Sequence, residues 1–488
     1  MKKLLLIIFL LGSGIKSGNA QFQTGVCSST RAGVMGVTIN PANTNYLSNG
    51  TDVLLFNYGT TLMNNGYYLT PRPVTSIVSP TVINKLTAKS TNGESINETF
   101  DKLFSLKRSF KTNNYIFADA TIYGPSFLMN VGKHSFGLLT SLKAVSGTTQ
   151  MPKELAIFVL KGSTAIELQG KTFNLNNFVS GTMVYTDLAL NYSYQIVDTY
   201  KSRQRLGITA HYLSGINSLD FEDRGGTKWS FIGDSTIYMD KGHLYYNYAA
   251  TKSASMSELL ATRGRGFAFD IGYNYISKKK SRPTRTTICP NIRYGGATRE
   301  YQQYKWRFGA SLMDIGMITY DKQTDYNEYT NASGPSKNLD KAFYLGVFAL
   351  DRKLWFDYSS NTAEVKYTSN TKYTHFTATR LNVQFDYNFK DNYYVSFNGS
   401  HRLPMPGVIA NHAPNILSLA ARYESTKYQF ELPISLIEYQ YPIIGFNFRV
   451  GPFYMGTNHL PEMIGLRNIR GLDIFAGLKL NISNLRGT

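Results

Sequence analysis

Leu381-Asn382-Val383-Gln384-Phe385-Asp386-Tyr387-Asn388-Phe389-Lys390-Asp391-Asn392-Tyr393-Tyr394-Val395-Ser396-Phe397-Asn398-Gly399 states a rule that the rest of the chain repeats. Leu381, Val383, Phe385, Tyr387 and Phe389 alternate with Asn382, Gln384, Asp386 and Asn388. Lys390-Asp391 reads as a turn, after which Tyr393, Val395 and Phe397 alternate with Asn392, Ser396 and Asn398. A period of two sends apolar side chains to one sheet face and polar ones to the other. With aromatic and β-branched residues so frequent, the stretch reads as an antiparallel hairpin. Its polar face is Asn, Gln and Asp, not the Lys/Glu mixture of a solvated surface. Such a face suits the wet interior of a membrane barrel, with the aromatic face against lipid.

The start of the chain agrees with that reading. Met1-Lys2-Lys3 is a charged region, Leu4 to Leu11 an apolar one, and Gly18-Asn19-Ala20 a small-residue cleavage site. Residues 1–20 therefore read as a secretory signal peptide, too short to span a membrane. Position 21 is Gln and not Cys, so no lipid anchor is implied. The longest later apolar run is Leu155 to Leu160, far short of the roughly 18 residues of a membrane helix. Export without a helical anchor leaves a membrane barrel or, as a distant alternative, a soluble secreted sandwich.

The formal net charge is +19. In an exported protein this points to lipopolysaccharide phosphates or acidic glycans and not to nucleic acid. Tyr (35) and Phe (29) far outnumber Trp (3), so an interfacial aromatic girdle must be mostly tyrosine. Cys27 and Cys289 both fall in the mature chain; a disulfide and two separate thiols are both open in an oxidising envelope.

Residues 21–48 are rich in Gly, Ser, Thr and Asn and close on the turn former Asn40-Pro41-Ala42. Gly33-Val34-Met35-Gly36-Val37-Thr38-Ile39-Asn40-Pro41-Ala42 resembles the Gly-rich segment ahead of the first strand in the long-chain fatty acid transporter (FadL-like) superfamily. That resemblance implies that the segment folds into the lumen as part of a plug. A wider resemblance is to an uncharacterised family of Bacteroidetes-type outer-membrane barrels. It is carried by the Asn-Pro-Ala stretch, by Trp306-Arg307-Phe308-Gly309-Ala310-Ser311-Leu312-Met313-Asp314-Ile315-Gly316, and by Gly471-Leu472-Asp473-Ile474-Phe475-Ala476-Gly477-Leu478-Lys479-Leu480. It implies a fold and a location but no reaction.

Further strands are expected at Asp52–Leu69, Ile122–Asn130, Lys133–Ala144, Val184–Tyr194, Leu206–Tyr212, Phe267–Ile276, Gln303–Tyr320, Asn415–Tyr423, Gln429–Glu438, Ile443–Tyr454 and Leu472–Ile482. Trp229–Tyr248 is strand-rich but less regular, and Ala342–Tyr367 is ambiguous. Helical pieces are expected near Glu98–Phe110 and Lys153–Leu160, within insertions at 70–113 and 148–181. The fold expected is all-β: an antiparallel transmembrane barrel of about fourteen strands (12–16) over residues 49–488, with a luminal plug over 21–48. Short and long connections fall on both sides, so orientation is weakly determined.

Chemistry is sparse. There is no phosphate loop, metal-spaced His/Cys cluster or nucleophile elbow; neither enzyme activity nor a cofactor is expected. Asp187 and His211 face inward on consecutive strands, and a structural contact is favoured over a catalytic dyad. Asp270, Arg380, Asp386, Arg422, Glu424, Arg449, Asp473 and Lys479 also face inward with mixed signs. They are expected to pair across the barrel and not to form a one-sign selectivity ring. The basic run Lys278-Lys279-Lys280, Arg282, Arg285 reads as a solvated loop. Two functions stay open: an outer-membrane barrel passing a small or hydrophobic solute, or one that docks an envelope protein partner.

Overall fold

The computed structural model describes residues 24–44, 49–74, 107–108, 114–163, 165–175, 178–233, 235–251, 255–279, 304–339, 341–342, 347–358, 364–369, 371–403, 412–425 and 427–483. The expected signal peptide, Cys289 with its pairing to Cys27, and the basic run beyond Lys279 lie outside the described residues.

The hairpin that sets the rule is present, as Arg380–Lys390 paired with Tyr393–Arg402. Its faces are inverted relative to a water-soluble sheet: Phe385 is 41% exposed, whereas Gln384 is 3% and Asp386 1%. The same inversion holds along Leu188, Leu190 and Tyr192 against Asp187 and Asn191, and along Phe267, Phe269 and Ile271 against Ala268 and Asp270. Apolar side chains outside and polar ones inside is the arrangement of a barrel in lipid. The turn itself is Asp391-Asn392, one residue later than the sequence pattern suggests; Asp391 takes a positive φ of 39°, which Asp tolerates better than Lys.

Fourteen antiparallel strands close on themselves. They are β1 Asn49–Asn64, β2 Asn114–Tyr123 with Ser126–Val131, β3 His134–Met151, β4 Val179–Asp198 and β5 Ser202–Asp223. Next come β6 Gly264–Lys278, β7 Tyr304–Tyr320, β8 Tyr373–Phe376 with Arg380–Lys390, β9 Tyr393–Arg402 and β10 Ile416–Glu424. The last are β11 Tyr428–Ile437, β12 Tyr441–Ile444 with Phe446–Val450, β13 Phe453–Thr457 and β14 Gly471–Ser483. Each pairs with its chain neighbour, and β1 pairs with β14 to close the ring. Closure removes the edge strands that an open sheet would expose to lipid.

Several expectations need correction. Ile443–Tyr454 is not one strand, because the two-residue turn Gly451-Pro452 divides β12 from β13. Sequence periodicity missed Thr324–Lys337, a strand that contains Pro335 and pairs outside the ring with Thr236–Ala249. Within Glu98–Phe110, the described Lys107–Arg108 is a short strand against Tyr67–Tyr68, not helix. Ala342–Tyr367 resolves into a helix, Val347–Tyr358, and the start of the strand Glu364–Ser369.

The two ends of the barrel differ. Gly132-Lys133, Thr199–Lys201, Asp391-Asn392, Ser425–Lys427 and Gly451-Pro452 are tight turns at one end, where β1 also begins and β14 finishes. Lys278 and Tyr304, where β6 ends and β7 begins, are at this end too. The other end carries the connections 65–113, 152–178, 224–263, 321–372, 403–415 and 458–470. There β4 and β5, 20 and 22 residues long, run well past the ~9–11 that cross a bilayer. Their overhang continues into Thr236–Ala249, Lys228–Gly233, Thr172–Asn174 and Thr324–Lys337. Helix Lys153–Lys161 and helix Val347–Tyr358 cover this annex. Phe158, Phe173, Trp229, Phe231, Tyr329 and Leu354 lie in its apolar core.

Candidate functional site in the lumen

Residues 24–44 lie inside the ring and touch it on nearly every side. The chain is gripped by its carbonyls. Ile39 O accepts from Ser311 Oγ (2.8 Å), Asn382 Nδ2 (3.1 Å) and Gln384 Nε2 (3.2 Å). Pro41 O accepts from Asn191 Nδ2 at 3.2 Å. Ser28 O accepts from Arg307 and Arg422, and Lys479 Nζ donates to Arg31 O and Ala32 O. Wall donors spread over β4, β7, β8, β10 and β14 thus satisfy a backbone that has too few partners of its own.

Asn40-Pro41-Ala42 sits deepest against the wall. Asn40 Oδ1 accepts from Ala42 N at 2.9 Å, forming the local turn, and Asn40 Nδ2 donates to Tyr273 O at 3.1 Å. The wall is notched to receive it. Gly207 and Gly272, directly paired on β5 and β6, approach so closely that a Cβ on either would overlap Pro41 or Asn40. Gly is the residue for such an approach. On the opposite side of the segment, Cys27, Val34, Met35 and Val37 pack against Leu54, Tyr123, Leu128, Leu139 and Tyr454. Burial pushes the Cys27 thiol up to about 12.

Beside the segment runs an ionic belt across six consecutive strands, β3 to β8. Lys143 Nζ meets Asp187 Oδ2 at 2.8 Å; His211 Nδ1 meets Asp187 Oδ1 and His211 Nε2 meets Asp270 Oδ2, both at 2.9 Å. Asp270 Oδ1 accepts from Asp314 N at 2.6 Å, and the Asp314 carboxylate meets Arg380 at 2.6 Å. Asp314 reaches this position because β7 bulges there, with φ 55°; bulges re-aim side chains. Opposite the bulge β8 is interrupted at 377–379, where Thr377 and Thr379 hydroxyls donate to Asp314 O. Both ring nitrogens of His211 face carboxylates, so the triad needs an imidazolium or one protonated carboxyl. In this arrangement neither nitrogen is left to activate a nucleophile.

A second cluster joins Asp386 to Arg422 (2.6 Å) and Arg307 (3.3 Å), with Glu424 on Arg422 Nε at 3.1 Å. Glu424 also accepts from Thr30 N at 3.2 Å. The remaining inward charges correct the expectation of pairing across the barrel. Asp473 accepts from Asn458 N (2.9 Å) and His459 Nδ1 (2.7 Å), holding the connection after β13. Arg449 donates to Ser425 O at 3.0 Å and Gly451 O at 3.3 Å. The charges pair between neighbouring strands, reach over one strand as Asp386 does to Arg422, or hold backbone.

Sequence reasoning missed Lys143, Arg307 and Asp314 as members of these clusters, and Ser218, Asp220 and His375. Ser218 Oγ and Asp220 Oδ1 both lie 2.9 Å from His375 Nδ1. A serine relay needs its two partners on different nitrogens, so this buried group is not one. Among the described residues no cluster of metal-ligating side chains is formed.

A closed barrel with an apolar exterior and a polar, occupied lumen defines a transmembrane β-barrel protein. The chain belongs to a family of unknown function (DUF5723), which it matches over residues 75–458. No curated protein matches it. Among solved structures, the Ralstonia pickettii toluene transporter TbuX is 11% identical, with 92% of this chain and 93% of that one covered at a TM-score of 0.37. The P. putida toluene transporter TodX is 10% identical, covering 91% and 90% at 0.35. The translocator domain of the autotransporter NalP from Neisseria meningitidis is 6% identical, covering 89% and 88% at 0.28. At this level of similarity they bear on neither solute nor mechanism.

Proposed function

We propose that this is an outer-membrane barrel that passes a small solute, and that residues 24–44 are a plug that closes it at rest. The carrying observation is the seating of Asn40-Pro41-Ala42 on the Gly207–Gly272 notch, with Ile39 O held by three wall donors. A wall carved to fit one segment has been shaped for that segment's presence. Hydrogen bonds between a segment and an otherwise hydratable wall are worth only about 1 kcal/mol each, so such a seat can release. Tight turns at one end and long connections at the other are the pattern of periplasmic and extracellular sides, which supports an orientation with both ends of the barrel chain, and the plug's entry, on the periplasmic side. The expected leader supplies the route there. Planar-bilayer conductance tests the reading: the intact protein should be nearly silent and the protein lacking residues 21–48 should conduct.

One observation favours the second reading, a barrel that docks an envelope partner and passes nothing. The annex beyond β4 and β5 has its own apolar core, which is more than a connecting loop needs. Under that reading, removal of the plug leaves the barrel silent.

A further inference from the structure

We propose, on the reading that residues 24–44 are a displaceable plug, that a second constriction lies at the long-connection end of the lumen. It sets the width of the path once the plug has left. Five strands change character at this level. Moving toward the long connections, inward Thr61 gives way to Met63 on β1, and Asp119 to Phe117 on β2. On β10 Ser418 gives way to Ile416, on β11 Ser435 to Ile437, and on β12 Asn447 to Ile443. Met63, Phe117, Ile416, Ile437 and Ile443 are all buried and join Tyr115 in one apolar cluster inside the ring.

A strap of chain completes the closure. Residues 412–415 end the connection from β9 to β10, and the His412 carbonyl lies against the inner face of Gly147 on β3. A Cβ on Gly147 would overlap that carbonyl. In a ring of fourteen, β3 and β10 are seven strands apart in either direction, so the strap reaches the opposite wall. Its foot is pinned: Arg402 N donates to Asn415 Oδ1 at 2.9 Å, Arg402 Nη1 to Ala413 O at 3.3 Å, and Asn415 N to Glu438 Oε1 at 2.8 Å. The space left where the strap meets Met63, Phe117 and Val145 is about 10 Å³, room for about one water.

This closure is separate from the plug. Along β3, Val145 and Gly147 lie beyond Leu139, which packs on the plug, and beyond Lys143 of the belt. The chemistry differs as well. Polar wall groups hold the plug by hydrogen bonds, whereas the seam is apolar, and water in a narrow apolar passage forgoes hydrogen bonds. Withdrawing the plug therefore leaves an opening whose width and wetting the seam controls.

The test is single-channel recording in planar bilayers of the protein lacking residues 21–48, with each variant folded by heat-modifiable migration. Adding Phe117→Ser removes a ring from an opening that holds about one water, and should raise the open level roughly twofold. A second arm does not depend on that substitution. With Cys289→Ser, the deletion protein carrying Ala413→Cys should lose most of its open level to a cationic methanethiosulfonate reagent, while the same protein without Ala413→Cys should not respond. An open level unchanged by Phe117→Ser, or no response at Ala413→Cys, overturns the constriction and leaves the plug standing. Silence of the deletion protein both with and without Phe117→Ser overturns the reading of passage, and the constriction with it.

Discussion

At the scale of single residues the account rests on the notch and the belt. Gly272→Val places a branched side chain where Asn40 and Pro41 lie, and it should unseat the segment while leaving the strand, whose β propensity valine favours. Cys27 reports this. Its thiol is buried and held far from the thiolate form, and the thiolate is the reactive species. In a Cys289→Ser background, maleimide should label Gly272→Val much faster than the parent; equal rates contradict the seating. For the belt, His211→Leu removes the side chain that joins Asp187 to Asp270. It should cost about 3–5 kcal/mol in a reversible folding assay in lipid, as breaking a buried ionic pair does. Adding Asp270→Asn should recover part of the loss. Of these residues, Asp187, His211, Asp270 and Arg380 were legible as inward-facing from alternation alone. Lys143 was legible as inward but not as Asp187's partner, because strand register is what brings them together. Asp314 was hidden by the bulge, which breaks the period that reading depends on.

At the scale of the element, alternation carried the strands that face lipid on one side and lumen on the other. Two positions on the opening hairpin test it. Phe385→Arg puts a charge on the lipid face and should cost about 2–4 kcal/mol if it lies near mid-bilayer. Asn398→Asp puts a charge of nearly unchanged size on the inward face, where Asn398 borders a small cavity of about 20 Å³ with Asn382 and Gln384, and should cost less. Equal costs in the same folding assay would contradict the facing. The strands that were missed or blurred are those outside this environment. Thr324–Lys337 buries Tyr329 and Ala332 in the annex core and carries Asn327, Asn331 and Pro335, so it has no lipid-type face to announce it. Likewise, Gly451-Pro452 divides two strands without interrupting the apolar count on either side.

At the scale of the molecule, the ring, the annex and the segment divide the work. The ring supplies a lipid-compatible exterior and the annex thickens one end. The segment is held by donors from several wall strands, inside a ring wide enough to enclose more than its own side chains fill. The fold class and the segment's separate character were readable in composition and period. Its seat was not, since Gly207, Gly272 and Asn40 lie far apart in sequence and meet only after closure. The central claim is that the segment closes the lumen, and single-channel recording in planar bilayers tests it most directly. The intact protein should show little or no steady conductance, and the protein lacking residues 21–48, folded by the criterion of heat-modifiable migration, should show a stable open level. An intact protein that already conducts, with the deletion making no difference, would contradict the account.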